Sequence, residues 1–195
     1  MILYCATGNP GKLLEYQLAA RIENIQVEIV PDLKAIPAPE ETGATFEENA
    51  SIKASYYSQF APGPVFCDDS GIEVDALNGA PGVFSARYAG EHGDDKANNR
   101  LLVANIEGAG TRTGRFVAAI ALADKGAVLK VFRGEVEGEI LNEERGVNGF
   151  GYDPLFYHPP FGCTFAEASA EQKHEVSHRA RAFRAMLTWL GGSSR

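Results

Sequence analysis

The chain begins with a short strand, a tight turn and a helix. Residues 2–6 are apolar, the turn at residues 7–12 is TGNPGK, and apolar side chains recur at helical spacing through residues 13–25. A strand that passes through a glycine-containing turn into a helix is typical of folds in which helices cover a β-sheet. This opening predicts an α/β protein.

Further strands and helices alternate along the chain. Residues 27–30 and 65–67 have the short apolar runs of buried strands, and residues 31–39 carry prolines that interrupt regular structure. Capping residues predict three more helices: Thr45 with Glu48 before a helix to residue 60, Asp94 or Asp95 before one to residue 106, and Ser169 with Gln172 before helical sequence to residue 190. Ser177 offers a second helix start within that last stretch.

The longest predicted strands lie in the middle of the chain. Residues 114–123 and 128–136 flank the turn Asp124-Lys125-Gly126, which predicts a β-hairpin. Hairpin strands are antiparallel, whereas strands joined through a helix are usually parallel. We therefore expect a mixed central β-sheet with flanking helices.

Size and charge limit the domain count and the partners. A chain of 195 residues with 45% hydrophobic content is long enough for a full core but short for two average-sized domains. We expect a single domain over residues 1–195, with room for two lobes. The net charge of −8 argues against a nucleic acid or an anionic membrane surface as partner, because both need clustered Lys and Arg.

The cysteines and the N-terminal residues favour a cytoplasmic location. Cys5, Cys67 and Cys163 are an odd set without a C-x-x-C pair, which is typical of reduced thiols. The first residues lack the charged leader and apolar stretch of a signal peptide, and no apolar run reaches membrane-spanning length. We expect a cytoplasmic protein without a membrane anchor.

The turn at residues 7–12 is a candidate phosphate site. Backbone N–H groups at a helix N-terminus favour an anion, and Lys12 adds a cation. The spacing is not that of a Walker A loop, because Leu13 stands where Ser or Thr would hold magnesium. A tight turn that needs its glycines only for backbone geometry is an equally good interpretation.

An acidic segment, Asp68-Asp69-Ser70-Gly71, is a candidate metal site. It follows a predicted buried strand, where site residues of open α/β sheets gather, and strand-like sequence resumes at residue 72. Neighbouring strand residues point to opposite faces, so one aspartate should face a cleft. Asp69 with Glu41 or Glu40 would suit Mg²⁺, which takes oxygen ligands. A turn that uses Asp, Ser and Gly for hydrogen bonds is the alternative.

Three other groups combine charged or aromatic side chains. Asn49 and Lys53 share one helical face, although a lysine there is usually solvated. Residues 150–153, FGYD, offer rings for stacking on a base, or for the core. His178 and Arg179, near a helix start, suit a base edge or phosphates, or an exposed surface.

Five motifs together resemble one family. TGNPGK, EETGATFEENASIKA, FCDDSGIEVDALNGAPGVFSARYAG, NGFGYDPLF and VSHRARAF occur in the order and spacing of the inosine triphosphate pyrophosphatases, also called XTP/dITP diphosphatases. The resemblance runs from Leu3 to about Leu190. Five ordered motifs are far more specific than any one of them.

The resemblance implies an activity and an assembly. The activity is Mg²⁺-dependent hydrolysis of a purine nucleoside triphosphate, ITP, dITP or XTP, between the α and β phosphorus atoms, which removes deaminated purines from the nucleotide pool. The implied fold is a mixed α/β sheet with a nucleotide-binding cleft between two lobes, and the implied state is a homodimer.

The resemblance also implies roles for residues. Asp69 is the implied general base, and Glu41 with Asp69 the implied magnesium ligands. The implied substrate contacts are Thr7, Gly8, Asn9, Pro10, Gly11, Lys12, Lys53, Ser70, Phe150, Gly151, Tyr152, Asp153, Lys173, His178 and Arg179. Two choices stay open: Glu40 for Glu41 as the metal ligand, and Tyr152 or Phe150 as the stacking ring.

Two rival functions fit parts of the pattern. A Maf-like nucleotide pyrophosphatase would act on pyrimidine or methylated nucleotides, but SHR at residues 177–179 and NGFGYDP at residues 148–154 argue against it. A nucleotide-binding sensor would hold its ligand without turnover, but Asp69, Glu41 and Lys53 argue for a reaction.

Overall fold

The computed structural model describes residues 1–22 and 25–192, which form a seven-stranded mixed β-sheet with helices. The strands are β1 (Ile2–Cys5), β2 (Gln26–Ile29), β3 (Val65–Val74), β4 (Thr113–Asp124), β5 (Ala127–Ile140), β6 (Phe156–His158) and β7 (Cys163–Thr164). The α-helices are α1 (Pro10–Ile22), α2 (Phe46–Tyr57), α3 (Asp95–Asn105), α4 (Ala170–Val176) and α5 (His178–Gly192).

The sheet has the order β2-β1-β3-β4-β5-β6-β7. β1 pairs in parallel with β2 and with β3, whereas β6 pairs antiparallel with β5 and with β7. Parallel and antiparallel pairs in one sheet confirm the mixed α/β fold that the sequence predicts.

The chain divides into two compact units. Unit one contains residues 1–69, 118–134 and the chain from residue 178, and unit two contains residues 70–117 and 135–177. Buried side chains of β1, α1, β3, β4 and α5 form much of the core of unit one, including Leu3, Tyr16, Phe66, Ile120 and Phe183. The core of unit two includes Ile72, Leu102, Phe116, Phe156 and Phe165.

Several local predictions are confirmed. Thr45 with Glu48 and Ser169 with Gln172 form complete capping boxes at the starts of α2 and α4, and Asp94 accepts a hydrogen bond at the start of α3. The hairpin turns through Lys125 and Gly126, whose φ angles of 49° and 86° are those of a tight turn between antiparallel strands.

The expectation of a break after residue 67 was wrong. β3 continues through Asp68, Asp69, Ser70 and Gly71 to Val74. Gly71 belongs within the strand because a Cβ atom there would collide with the Ser85 hydroxyl group and the Gly82 carbonyl oxygen. Ser85 accepts a hydrogen bond from the Ile72 N–H, so the close approach of this segment depends on the glycine.

The boundaries of α1 also differ from the prediction. The helix begins at Pro10, three residues before the predicted start, because Asn9 Oδ1 accepts hydrogen bonds from the N–H groups of Gly11 and Lys12. β2 begins at Gln26, so Ile25 lies outside the helix.

Two findings concern the cysteines and membranes. Cys5, Cys67 and Cys163 are free thiols, as the sequence predicts. Within residues 1–22 and 25–192, no helix is both long and apolar enough to cross a membrane.

Candidate active site

Asp68 joins two cations in unit one. Its carboxylate lies 2.8 Å from Lys12 Nζ and 3.7 Å from Arg179 Nε, and its side chain is 3% exposed. Arg179 also lies 3.2 Å from Glu15 on α1. Lys12 and Glu15 are three residues apart on α1, so one helical face supplies both groups. The resemblance did not single out Asp68 or Glu15.

Asp68 stays ionised at neutral pH. Burial alone raises the pKa of its carboxyl group, but Lys12 and Arg179 more than offset that effect and lower the pKa to about 2. A permanent carboxylate between two cations holds both side chains in defined positions. Lys12 and Arg179 are therefore fixed by carboxylates, Asp68 for both and Glu15 for Arg179, in positions from which cations can bind a polyphosphate.

Asp69, the next residue of β3, contacts another element. Its carboxylate lies 3.0 Å from Lys53 Nζ and accepts a hydrogen bond of 3.3 Å from Asn49 Nδ2, both on α2. This confirms that Asn49 and Lys53 share a helical face. Neighbouring strand residues point to opposite faces, so Asp68 meets α1 and α5 while Asp69 meets α2.

Lys53 links Asp69 to Glu41. Lys53 Nζ lies 3.0 Å from Glu41 Oε2, so the structure brings Glu41 to this group. Burial lowers the pKa of Lys53, but Asp69, Asp68 and Glu41 raise it further, so the net shift is upward and the ammonium stays charged. The pKa of Asp69 is raised, chiefly by burial and despite Lys53. A raised pKa makes Asp69 a better proton acceptor than an ordinary carboxylate.

The donor set of Asp69 and Glu41 fits a magnesium ion. Mg²⁺ takes oxygen ligands, and one or two carboxylates with water and substrate phosphates suffice. The described part of the chain holds no group of three or more His, Cys, Asp or Glu side chains suited to a metal. Asp69 and Glu41 offer only oxygen donors, so a soft metal that prefers sulfur is a poor match for them.

The turn before α1 is ordered by its own side chains. Thr7 Oγ1 accepts a hydrogen bond from the Asn9 N–H, and Asn9 Oδ1 accepts from Gly11 and Lys12. Gly8 has open space where a Cβ atom would stand. The turn therefore keeps a fixed shape and directs Lys12 toward Asp68.

Residues 150–153 form an ordered loop in unit two. The Asp153 carboxylate accepts a hydrogen bond of 2.9 Å from the Phe150 N–H and lies 2.7 Å from Lys173 Nζ. Lys173 Nζ also lies 4.8 Å from the centre of the Phe150 ring. Asp153 and Lys173 are 2% and 6% exposed, so this is a buried ion pair that fixes the loop.

The two aromatic residues of this loop have different environments. Tyr152 is 5% exposed, belongs to the core of unit two, and its hydroxyl group donates to the Ser85 carbonyl oxygen at 2.8 Å. Phe150 is half-buried. Phe150 is therefore the better placed of the two to stack on a planar base.

Ser70 and His178 occupy different surroundings. Ser70 is half-buried in β3, directly after Asp69.

His178 and Arg179 are buried at the start of α5. Their exposed fractions are 1% and 6%, so they are not the exposed pair that is usual for such residues. Gly134 of β5 makes this burial possible, because a Cβ atom there would collide with the His178 carbonyl oxygen and the Ala182 nitrogen.

The predicted site residues thus fall into three described groups. Lys12 and Arg179 meet at Asp68, Glu41 and Asp69 meet at Lys53, and Phe150, Asp153 and Lys173 meet in unit two. The sequence did not identify Asp68 as a partner of two cations. The only sequence signal for this role of Asp68 is that neighbouring strand residues point to opposite faces. That signal could not be used, because a turn was expected at this segment.

Comparisons with known proteins identify similar proteins over nearly the whole chain. The family model described as the Ham1 family matches residues 3–189. A dITP/XTP pyrophosphatase of Listeria innocua serovar 6a is 48% identical over 181 residues, which cover 92% of this chain and 89% of that protein. A dITP/XTP pyrophosphatase of Exiguobacterium sibiricum is 45% identical, with 98% of this chain and 100% of that protein covered.

Solved structures give the same result. The Ham1 protein of Staphylococcus aureus superposes with a TM-score of 0.87 at 39% identity, covering 99% of this chain and 100% of that chain. A nucleoside-triphosphatase, a dITP/XTP pyrophosphatase from Mycobacterium abscessus, superposes with a TM-score of 0.74 at 40% identity, covering 97% and 100%. On the family match and these near-complete alignments, the chain belongs to the Ham1 family.

Proposed function

We propose that this protein hydrolyses purine nucleoside triphosphates with deaminated bases, namely dITP, XTP and ITP, to the nucleoside monophosphate and pyrophosphate. The observation that carries the proposal is the similarity, at 48% identity over 92% of this chain, to a relative named dITP/XTP pyrophosphatase. The charges of unit one support it, because three cations, Lys12, Lys53 and Arg179, lie beside Asp68 and Asp69. By this reaction the protein removes deaminated purines from the nucleotide pool.

Lys12, Lys53 and Arg179 bind the triphosphate in this proposal. Lys12 and Arg179 are held by Asp68, and Lys53 is held by Asp69. Cations that are already fixed lose little conformational freedom when an anion arrives, so they stabilise charge that develops on the phosphates. The turn formed by Thr7, Gly8, Asn9, Pro10 and Gly11 places the first of these cations.

Asp69 activates water in this proposal. In this proposal the Asp69 carboxylate, which contacts Lys53 and Asn49, accepts a proton from the water molecule that attacks the α phosphorus. Glu41 and Asp69 are the side chains that would hold Mg²⁺, which supplies charge stabilisation at the phosphates when it is bound. Pyrophosphate is the leaving group.

The loop of residues 150–153 binds the base. Phe150 stacks on the purine, and the buried Asp153–Lys173 pair holds the loop that carries the ring. Ser70, Gly151, Tyr152, Lys173 and His178 complete the proposed substrate contacts. Hydrogen-bond donors that face a 6-oxo group would reject adenine, because its amino group is also a donor and would leave both unpaired.

A nucleotide panel tests this function. Pyrophosphate release is measured from ITP, XTP, dITP, GTP, ATP and dTTP, each with magnesium and with EDTA. Fast release confined to ITP, dITP and XTP and abolished by EDTA is expected. Release from dTTP would instead favour a Maf-like activity, and binding of ITP without release would indicate a nucleotide sensor.

The assembly and location belong to the same proposal. The protein acts as a homodimer in the cytoplasm, without a nucleic acid or membrane partner. We infer the dimer from the resemblance to the pyrophosphatase family. The absence of a nucleic-acid partner is inferred from the net charge of −8. Sedimentation velocity is expected to give the mass of two chains, and a monomer at all concentrations would contradict the dimer.

A further inference from the structure

Two side chains of α3 hold the backbone of Gly151. Asp95 Oδ2 accepts a hydrogen bond of 2.7 Å from the Gly151 N–H, and Asn99 Nδ2 donates one of 3.2 Å to the Gly151 carbonyl oxygen. Asp95 and Asn99 are four residues apart, so they share one face of the helix. Both polar groups of one residue are therefore bound by a single rigid element.

We propose that Asp95 and Asn99, here called the Gly151 clamp, are positioning residues that hold the loop of residues 150–153 in its base-binding shape. This inference rests on the proposed function, in which Phe150 of that loop stacks on the purine. The clamp acts through Gly151 and need not touch the nucleotide itself. Its effect is on affinity and base selection, while the reacting phosphates are served by Asp69 and Lys53.

The loop needs an external clamp because its backbone is intrinsically free. Gly149 and Gly151 have positive φ angles of 75° and 63°. Glycine populates many more backbone conformations than other residues, so two of them flanking Phe150 give the backbone of this segment little restraint of its own. The Asp153 carboxylate fixes Phe150 from one side, and the clamp fixes Gly151 on the other.

Asn99 reaches the loop as a buried polar side chain. It is 3% exposed, and its Nδ2 also donates to Glu144 Oε1 at 2.7 Å. Its Oδ1 atom is buried and accepts no hydrogen bond from the residues that the structure describes. An apolar side chain in this place would lose the hydrogen bonds to Glu144 and to the Gly151 carbonyl oxygen, so the polar side chain is what links α3 to the loop.

A fixed loop improves nucleotide binding because it lowers the conformational entropy that is lost when the nucleotide binds. When Phe150 and Gly151 already have their bound conformation, the nucleotide does not have to restrict them. A loosened loop should therefore raise KM and should tolerate other bases more readily. The value of kcat should stay nearly constant, because the clamp has no part in the attack on the α phosphorus.

The kinetic test compares Asp95→Ala and Asn99→Ala with two controls. Lys96→Ala changes an exposed residue of the same helix and leaves the cap, Asp95 and Asn99 in place. Asp95→Asn keeps an acceptor for the Gly151 N–H. We expect the two clamp variants to raise KM for dITP about fivefold to tenfold, the effect of one lost hydrogen bond. Their kcat should change less than about twofold, and their preference for dITP over dATP should fall. Both controls should resemble the parent protein.

An amide-exchange measurement tests the clamp independently of turnover. The Gly151 N–H, followed by NMR, should exchange faster in Asp95→Ala than in the parent, and at the parent rate in Lys96→Ala. Parental KM and base preference in Asp95→Ala, whose altered side chain is exposed, would overturn the proposal even if Asn99→Ala failed to fold. Unchanged Gly151 exchange in Asp95→Ala would also overturn it. A parent inactive on every purine nucleotide would overturn the proposed function and the kinetic part together, and the exchange rates would then support or overturn the clamp separately.

Discussion

Asp68 and Asp69 are neighbours in sequence but differ in partners and in acidity. Asp68 lies between Lys12 and Arg179, and its pKa falls to about 2. Asp69 lies beside Lys53 and Asn49, and its pKa is raised. Two adjacent carboxyl groups can thus serve different purposes, one as a fixed anion that holds cations and one as a base.

Replacement of Asp69 by Asn should abolish turnover. The amide cannot accept the proton of the attacking water and is a weaker metal ligand, so we expect kcat for dITP to fall by about 10²- to 10⁴-fold. Asp75→Asn is the control, because Asp75 binds Thr113 and Arg115 outside the site. Circular dichroism should show both variants folded. Substantial activity in Asp69→Asn would remove Asp69 from the base and metal roles.

The pair Glu40 and Glu41 allows a matched comparison. Only Glu41 is expected to matter, because it is the member whose carboxylate lies 3.0 Å from Lys53. The Mg²⁺ concentration for half-maximal rate should rise at least about tenfold in Glu41→Gln, since even outer partners of metal ligands have effects of that size. Glu40→Gln should need no more Mg²⁺ than the parent. The reverse result would assign the metal role to Glu40.

Asp68 should make stability depend on acidity. Its pKa is about 2 in the folded protein against an ordinary value of 3.8, so its contribution is fully present above about pH 4 and is lost as pH falls through 2. Between those limits the parent should lose about 2 kcal/mol of unfolding free energy through this group. Asp68→Asn should lack that loss in urea unfolding measured from pH 4 downward. Parallel pH profiles of the two proteins would contradict the ionic role of Asp68.

At the scale of elements, caps and close approaches set the positions of the charged residues. The capping box of Thr45 and Glu48 begins α2, which carries Lys53 to Asp69. Gly134 of β5 lets the first turn of α5 approach, and that turn carries Arg179 to Asp68. The first feature is visible in the sequence, because its residues are close together. The second is not, because a glycine in a strand does not reveal what lies above it.

Gly134→Ala should destabilise the protein and weaken phosphate binding. The new methyl group would collide with the backbone at His178 and Ala182, which cannot yield as a flexible side chain would. We expect a loss of about 1–3 kcal/mol in urea unfolding, the usual cost of overpacking. Gly110→Ala is the control, because open space surrounds Gly110, and it should stay within about 0.5 kcal/mol of the parent. Equal stability of both variants would contradict the close approach of α5.

At the scale of the whole molecule, the sequence predicted the fold class and most helices and strands. The hairpin and the capping boxes have local signals that the structure confirms. β6 and β7, of three and two residues, escaped prediction because so few residues show no periodicity. The predicted strand at residues 65–67 was too short because Asp, Ser and Gly favour a turn. In the structure these residues continue β3, and Gly71 leaves room for the close approach of Ser85.

The candidate site was predictable in parts. Thr7 to Lys12, Asn49 with Lys53, and the aspartate pair have local signals in spacing and residue type. The ion pairs Asp68–Arg179 and Asp153–Lys173 join distant parts of the sequence, so only the folded chain or a family resemblance reveals them. Asp95 was considered as a helix cap, and its contact with Gly151 has no sequence signal.

The most direct test of the proposed reaction is hydrolysis of ITP in water enriched in ¹⁸O, with the products identified by mass spectrometry. Attack on the α phosphorus places one ¹⁸O atom in the monophosphate and leaves pyrophosphate unlabelled. We predict labelled inosine monophosphate and unlabelled pyrophosphate. Labelled pyrophosphate, or inosine diphosphate with inorganic phosphate, would contradict the account.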